Sequence, residues 1–416
     1  MLELQAGPEG TAKQFYRRHH TAVVSAVLSV TGIASGIAVA LVLMQALLFT
    51  NALMFGASAI LALVAVYGLL RHWGFAALTV LAPLPGLLWA APIASGSDFG
   101  ALPFLAYGLA IAAATLSCEH KLTELLQPDS VLPARFSRWG AGPLLPVLAS
   151  AVLMGLLALL WFRGGPSADA ALQAVADSVL ALLSVLVLLP LGISLLHFDE
   201  ALVARANRAG EQRGRWLEGL AFAAIPRWGL SLTGVTVILI VLGWYGARGV
   251  LQDAFVLRAA SVLLVALVGG LVGAGWREGL ALAGAIAGAC LLTLWAHVSV
   301  SGLPDGGVSV LQIGGFACVL AFYGVWRVRQ YQQRRETARE RVLSDCGGAL
   351  ISVIASAAVL VPLLVLKPMS VVMLLGLVVA GFAGVLLTPA LVTGLEAFFP
   401  RSATVEQLYG RAAPKR

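Results

Sequence analysis

Few residues of this sequence could do chemistry, and most of them stand alone. Asp177 lies within a long apolar run, where a carboxylate could contact a cation or a polar part of a substrate. The alternative is an acid at the water boundary, next to a short loop at 163–170. Glu119, His120 and Lys121 end another apolar run, where they could pair with a second basic segment or cap the span. Asp177 is therefore the candidate intramembrane acid.

No motif for a metal or a cofactor accompanies these residues. His19-His20 and the group His197, Asp199 and Glu200 offer ligand atoms without the spacing of a metal site. The 4 cysteines form no CxxC pair. The sequence has no phosphate-binding glycine loop and no Ser-His-Asp arrangement in a plausible context. We expect no metal, no cofactor and no enzymatic activity.

The composition indicates which elements must position these side chains. Hydrophobic residues make up 60% of the chain and charged residues 11%, whereas a soluble domain has roughly 25% charged residues. The apolar runs are continuous rather than alternating, which excludes a membrane β-barrel and favours helices. The sequence predicts an all-α polytopic membrane protein. Twelve apolar runs are each about long enough to cross a bilayer: 22–49, 51–70, 74–94, 99–118, 143–162, 170–196, 229–246, 256–275, 279–299, 307–326, 348–366 and 370–396.

The basic residues give these twelve spans an orientation. With the N-terminus in the cytoplasm, 23 of the 27 Lys and Arg residues fall on the inner side, as the positive-inside rule requires. The net charge of +7 is thereby explained without nucleic-acid binding. We predict a bacterial inner-membrane protein with both termini in the cytoplasm.

The sequence repeats itself after 206 residues. Arg71 corresponds to Arg277, and the text around Ser150 corresponds to that around Ser356. The repeat predicts two parallel six-helix units related by an axis along the membrane normal, an architecture typical of transporters. The predicted division is a cytoplasmic segment at 1–21, repeats at 22–196 and 229–396, a cytoplasmic linker at 197–228 and a tail at 397–416.

Small residues recur on the predicted spans. Gly108, Gly314, Gly315, Ser150 and Ser356 could let two helices approach closely, or they could line a groove for a substrate. Close helix packing is the commoner role of such residues in membrane proteins.

One family has a similar pattern. The segment 338–356, the runs 374–377 and 386–391 and the weaker copy at 188–191 resemble the last two spans of MMPL-type exporters, which belong to the resistance-nodulation-division (RND) superfamily. Basic segments after spans four and ten fit the same family. The resemblance implies export of a lipid-like or hydrophobic substrate, and membrane lipids and periplasmic or cytoplasmic proteins as partners.

Two features depart from that family. The large periplasmic domains that normally follow spans one and seven are replaced by short connections at Thr50-Asn51 and 248–253. The acids that drive proton-coupled members would align with Ala112 and Cys318, neither of which is a carboxylate. The sequence therefore leaves two functions open: an RND/MMPL-like transporter, or a transport-inactive scaffold or lipid-sensing subunit. A polymerase or ligase of lipid-linked sugars is disfavoured because the outer loops are short.

Overall fold

The structure is a computed structural model, and every element in the part it describes is helical. The described residues are 27, 29–36, 49–90, 102–125, 152, 155–156, 168–195, 208, 237–238, 241, 264, 267–268, 275–301, 316–317, 319–322, 352–362, 369–382, 387–388, 391–392, 395 and 399. Eight helices within these ranges carry the architecture. They are α1 (Phe49–Leu70), α2 (Trp73–Leu81), α3 (Leu84–Ala90), α4 (Leu102–Leu125), α5 (Ala168–Leu195), α6 (Trp276–Ser301), α7 (Ser352–Pro362) and α8 (Met369–Phe382).

The helices are apolar on their exposed sides as well as on their buried ones. On α1, Ile60 and Val64 are about one turn apart and are 63% and 60% exposed. On α5, Leu183 and Val187 repeat the same spacing and are also exposed. A helix at a water interface carries polar residues on its outer face. Apolar outer faces are instead those of helices surrounded by lipid.

Two helical segments, Trp73–Ala90 and Leu172–Ile193, have the length and hydropathy to cross a membrane. Shorter apolar helices are described at Met54–Leu70, Pro103–Cys118 and Ser352–Pro362. The bounds of α1, α5 and α6 agree with the predicted spans at 51–70, 170–196 and 279–299 to within a few residues. The ends of the predicted span at 348–366 and the part of the span at 370–396 directly after Phe382 lie outside the described residues. Two other spans differ from the prediction. The count of twelve spans and the division into two repeats stay predictions.

The first difference concerns the predicted span at 74–94, which is not one continuous helix. It is divided into α2 and α3 by a turn at Ala82-Pro83. Pro83 and Pro85 have no N–H group, so neither can donate the hydrogen bond that would continue the helix. Within a membrane span, the backbone groups that such a break leaves free need other hydrogen-bond partners.

The second difference concerns α4, which continues to Leu125 beyond the predicted end at 118. The first part of the basic segment that follows predicted span four is thus the last two turns of the same helix. A tight turn at Arg71-His72 joins α1 to α2. Arg71 has a φ of 54°, which reverses the chain, and His72 caps the start of α2.

The long helix α5 is the packing centre of the first half. It lies against α3 and α4, and also contacts α2. Its buried face repeats every three to four residues and includes Ala174, Asp177, Ala181 and Ser184. In the second half, α6 packs against α8. This arrangement places Asp177 between helices rather than at a loop.

Candidate functional site: a helix interface and a buried acid

The turn between α2 and α3 is held by side chains from two other helices. The Tyr107 hydroxyl of α4 donates to the Val80 carbonyl at 2.9 Å. The Ser184 hydroxyl of α5 donates to the Ala82 carbonyl at 2.6 Å. Both acceptors belong to the last turn before Pro83, where a continuous helix would have used its own N–H groups. The turn is therefore a fixed feature of the bundle.

Helices from the two halves of the sequence meet through small residues. Ser356 of α7 donates a hydrogen bond to the Gly108 carbonyl of α4 at 2.7 Å, and the Gly108 Cα carries no side chain to hold the helices apart. A second bond runs the other way, from the Ser58 hydroxyl of α1 to the Val359 carbonyl of α7 at 2.8 Å. Close approach through small residues and hydroxyl-to-carbonyl bonds is how membrane helices associate.

Two of the five small-residue positions named from the sequence, Gly108 and Ser356, thus lie in direct contact. Ser150, Gly314 and Gly315 lie outside the described residues, and so does Cys318. Ser58 was not singled out from the sequence. A buried serine on an otherwise apolar span was the signal that could have found it, since a lone hydroxyl in such a helix needs an acceptor.

The centre of α4 is buried on every side. All side chains from Pro103 to Cys118 are buried, and Ala112 is 0% exposed. This stretch contains no carboxylate, and the hydroxyls of Thr115 and Ser117 each donate to the carbonyl four residues earlier in the same helix. The position that the family resemblance assigns to a proton-carrying acid is therefore an alanine packed among apolar neighbours.

Asp177 is buried in the first half of α5. It is 3% exposed, and its Oδ2 atom has no hydrogen-bond partner. The side chains of Ser178 and Trp89 share this property: the Ser178 hydroxyl and the Trp89 Nε1 are buried without a hydrogen-bond partner. Buried polar groups are normally paired. A carboxylate oxygen, a hydroxyl and an indole N–H are thus buried without hydrogen-bond partners in the first half.

Two titratable side chains occupy the first turns of helices. His72 accepts a hydrogen bond from the Phe75 N–H through Nδ1 at 3.3 Å and is 4% exposed. Glu278 stands at the start of α6, also buried, with its carboxylate against Gly275. Burial lowers the pKa of His72 because a charged imidazolium loses its hydration there. His72 and Glu278 are 206 residues apart, which is the spacing of the predicted repeat.

No group of three or more His, Cys, Asp or Glu side chains in the described part of the chain could hold a metal ion. The geometry of the described residues consists of helix contacts and a few buried polar atoms within a mainly apolar core.

No protein-family profile matches the sequence, and no curated protein matches it. Solved structures do match. SecDF from Thermus thermophilus, described as a translocon-associated membrane protein, superposes with a TM-score of 0.56 at 15% identity, over 83% of this chain and 62% of that chain. SecDF in a super-membrane-facing form gives a TM-score of 0.57 at 14% identity, over 86% of this chain and 62% of that one.

These similarities define the fold. The chain has a fold similar to that of the membrane protein SecDF, and it spans less than two thirds of the SecDF chains that it matches. The RND superfamily and its MMPL branch stay predictions from the sequence.

Proposed function

We propose that this protein is an RND-like transporter of the bacterial inner membrane that moves a lipid-like or hydrophobic substrate. The observation that carries the proposal is the contact between helices of opposite halves, Ser356 with Gly108, within a fold similar to that of SecDF. Transporters built from two related halves work by moving one half against the other around a site between them. A small-residue interface suits such movement because few side chains interlock across it.

The energy source of this transporter differs from that of the proton-driven family members. Ala112 cannot take up a proton, and the buried stretch of α4 contributes no acid in its place. Movement is driven by a partner protein, by the gradient of the substrate, or by an acid elsewhere, of which Asp177 is the candidate.

A second function is favoured by a specific observation. The complete burial of α4 between Pro103 and Cys118, without a carboxylate, suits a static scaffold or lipid-sensing subunit of a membrane complex. SecDF is described as associated with a translocon, so a subunit that assists a larger machine is consistent with this fold. The expected partners are membrane lipids and periplasmic or cytoplasmic proteins.

Reconstitution separates the two functions. The full chain is placed in liposomes, and the movement of a fluorescent phospholipid between leaflets is followed by dithionite quenching, with and without a proton gradient. A transporter accelerates movement over empty liposomes. If lipid movement follows the proton gradient and slows in Asp177→Asn, Asp177 is the acid that drives transport. If the rate equals that of empty liposomes under all conditions, the transport function is excluded and the scaffold function is retained.

An interface variant tests the proposed movement. Gly108→Leu places a large side chain against Ser356, and we expect it to reduce the rate by about tenfold or more, since overpacking shifts helices apart. Gly56→Leu is the matched control because a Cβ at Gly56 meets no atom within 4 Å. Equal rates in the two variants would show that the interface takes no part in movement.

The orientation has its own test. With both termini in the cytoplasm, green fluorescent protein fused to the C-terminus is fluorescent, and alkaline phosphatase fused at the same point is inactive. The reverse pattern would overturn the predicted topology.

A further inference from the structure

One helix contact occurs in both halves of the chain, between the third and the sixth span of each predicted repeat. In the first half, a Cβ added to Gly192 of α5 would overlap the Leu78 side chain of α2. In the second half, a Cβ added to Gly284 of α6 would lie 3.4 Å from Leu391 Cδ1 in the last predicted span. Leu78 and Gly284 are 206 residues apart. Gly192 and Leu391 are 199 residues apart, which is also the spacing of the prolines in predicted spans six and twelve. The contact is therefore made at positions that the predicted repeat relates, with the large and the small residue exchanged.

In the first half, two hydrogen bonds accompany this contact. Tyr107 of α4 donates to the Val80 carbonyl, and Ser184 of α5 donates to the Ala82 carbonyl. Both acceptors lie at the end of α2, where the helix stops before Pro83. The two bonds connect α2 to α4 and to α5.

The equivalent helix of the second half has no such break. Helix α6 is continuous from Trp276 to Ser301, and Ala289 stands 206 residues after Pro83. The carbonyl groups inside a continuous helix accept the N–H groups four residues later. Helix α6 therefore has no end within the span that needs donors from other helices.

The two donors are also missing from the second half. The residue 206 positions after Tyr107 is Ile313. Ser184 corresponds to Ala390 at a spacing of 206 and to Ala383 at a spacing of 199. Neither isoleucine nor alanine has a side-chain donor. The break and both of its hydrogen-bond partners thus occur together in one half and are replaced together in the other.

The packing of glycines differs between the halves in the same direction. Gly86 lets the backbones of α3 and α5 meet, since a Cβ there would overlap the Leu180 carbonyl. The residue 206 positions later is Leu292, a residue type that does not permit a backbone contact of this kind. The Gly284–Leu391 approach is an ordinary van der Waals contact between apolar atoms. Lipid tails are as apolar as leucine, so lipid can replace an apolar contact that opens in a bilayer, but it cannot replace a hydrogen bond.

We propose that helices α2, α3, α4 and α5 form a fixed frame, and that the chain changes conformation by movement of α6 against the last span. A hydrogen bond between membrane helices shifts an equilibrium by about threefold, so two such bonds favour the closed frame by about ninefold. Movement of α6 exchanges apolar contacts with protein for apolar contacts with lipid and breaks neither bond. The proposal concerns which helices move, so it holds for a transporter and for a lipid-sensing subunit alike.

Double electron–electron resonance on the full chain in lipid nanodiscs compares the two halves. The spin labels are attached to a non-canonical amino acid, so the 4 native cysteines are retained. One pair of labels stands at Leu81 of α2 and Leu172 of α5, and the other at Leu280 of α6 and Leu375 of α8. All four positions are exposed. We expect the distance distribution of the second pair to be at least about twice as wide as that of the first.

Variants connect the narrow distribution to the two hydrogen bonds. Tyr107→Phe and Ser184→Ala remove one donor each, and together they should widen the distribution of the first pair by at least about 1.5-fold. Ser117→Ala is the matched control, since that hydroxyl bonds to a carbonyl of its own helix, and it should leave both distributions unchanged. Size-exclusion chromatography establishes that each variant is folded, and the single variants carry the test if the double variant is not.

Two results would overturn the proposal. One is a first-half distribution as wide as that of the second half, which would make the break before Pro83 a flexible point. The other is a first-half distribution that the Tyr107 and Ser184 variants leave unchanged. The measurement uses no substrate and no gradient, so its outcome is independent of the liposome assay. A chain with a narrow first-half distribution and a wide second-half distribution that moves no lipid would refute the proposed transport and leave the fixed frame standing.

Discussion

Ser356 and Gly108 are 248 residues apart in the chain and are joined by a hydrogen bond of 2.7 Å from the serine hydroxyl to the glycine carbonyl. The same hydroxyl lies 2.8 Å from the Ser352 carbonyl in its own helix. Its single hydrogen is shared between an acceptor in α7 and one in α4. When α4 and α7 separate, the Ser356 hydroxyl can still donate to the Ser352 carbonyl. Separation therefore leaves no unpaired hydroxyl and has a small cost in free energy.

The size of that cost can be measured with Ser356→Ala. We expect a loss of about 0.5 to 1 kcal/mol in unfolding free energy, as for other hydrogen bonds between membrane helices. Ser117→Ala removes a buried hydroxyl that bonds only within its own helix and should cost less. Reversible unfolding in mixed micelles gives both values, and a larger effect for Ser117→Ala would mean that the contact between the halves is not stabilising.

Among the described glycines, Gly86 lies closest to the backbone of another helix, which is α5. A Cβ there would overlap the carbonyl group of Leu180, which is backbone and cannot turn away. Gly86→Ala should therefore destabilise the protein by about 1 to 3 kcal/mol.

Gly56→Ala is the matched substitution in open space. It should stabilise α1 by up to about 1 kcal/mol because alanine is the better helix former. Thermal unfolding of the two variants in the same detergent compares them directly. Similar melting temperatures would contradict the close packing of α3 on α5.

The apolar outer face of α1 predicts sensitivity to charge. Val64 is exposed in the fold, and in a water-soluble protein Val64→Asp would be nearly neutral. In a bilayer the same change should oppose insertion by about 2.5 to 3.5 kcal/mol near the centre of a span. Carbonate extraction and glycosylation mapping measure insertion, with Val64→Leu as the control. Normal insertion of Val64→Asp would place this face away from lipid.

His72 makes the start of α2 sensitive to pH. Burial lowers its pKa below the ordinary value of about 6.5. The unfolded chain therefore binds a proton at a higher pH than the folded chain does. Stability from the neutral imidazole is fully present above about pH 6.5 and is lost as the pH falls from there through the folded pKa. Protonation of Nδ1 also removes the acceptor of the Phe75 N–H.

His72→Asn retains a helix-capping acceptor and removes the titration. Melting temperatures between pH 8 and pH 5 should fall less steeply for this variant than for the unmodified protein. Parallel curves would exclude His72 as the source of the acid sensitivity.

The sequence was sufficient to predict the helical, membrane-type architecture, because an apolar composition and continuous runs exclude most other folds. It did not predict the break in the span at 74–94. Pro83 and Pro190 both lie within apolar runs, but α5 continues through Pro190 while the helix at Pro83 ends. The Pro83-Leu84-Pro85-Gly86 run is the local difference, and the partners that fix the break, Tyr107 and Ser184, come from distant segments that no local pattern could supply.

The candidate site was partly accessible from the sequence. Asp177 is identifiable as an acid within an apolar run, and Gly108 and Ser356 are identifiable as small residues on spans. The antiparallel register of α5 and α3 follows from the Gly86–Leu180 contact and the Ser184–Ala82 bond, which join segments about 100 residues apart. Tertiary register of this kind lies beyond single-sequence periodicity.

The hydrogen bonds from Tyr107 and Ser184 hold the helix break at Ala82-Pro83 in one geometry, so the break is not a hinge. A hinge needs backbone groups that can change partners as it bends, whereas each carbonyl here is fastened by a side chain from a different helix. Moving α4 or α5 away from the end of α2 therefore breaks one of these two bonds, so a displacement of either helix is resisted at this turn.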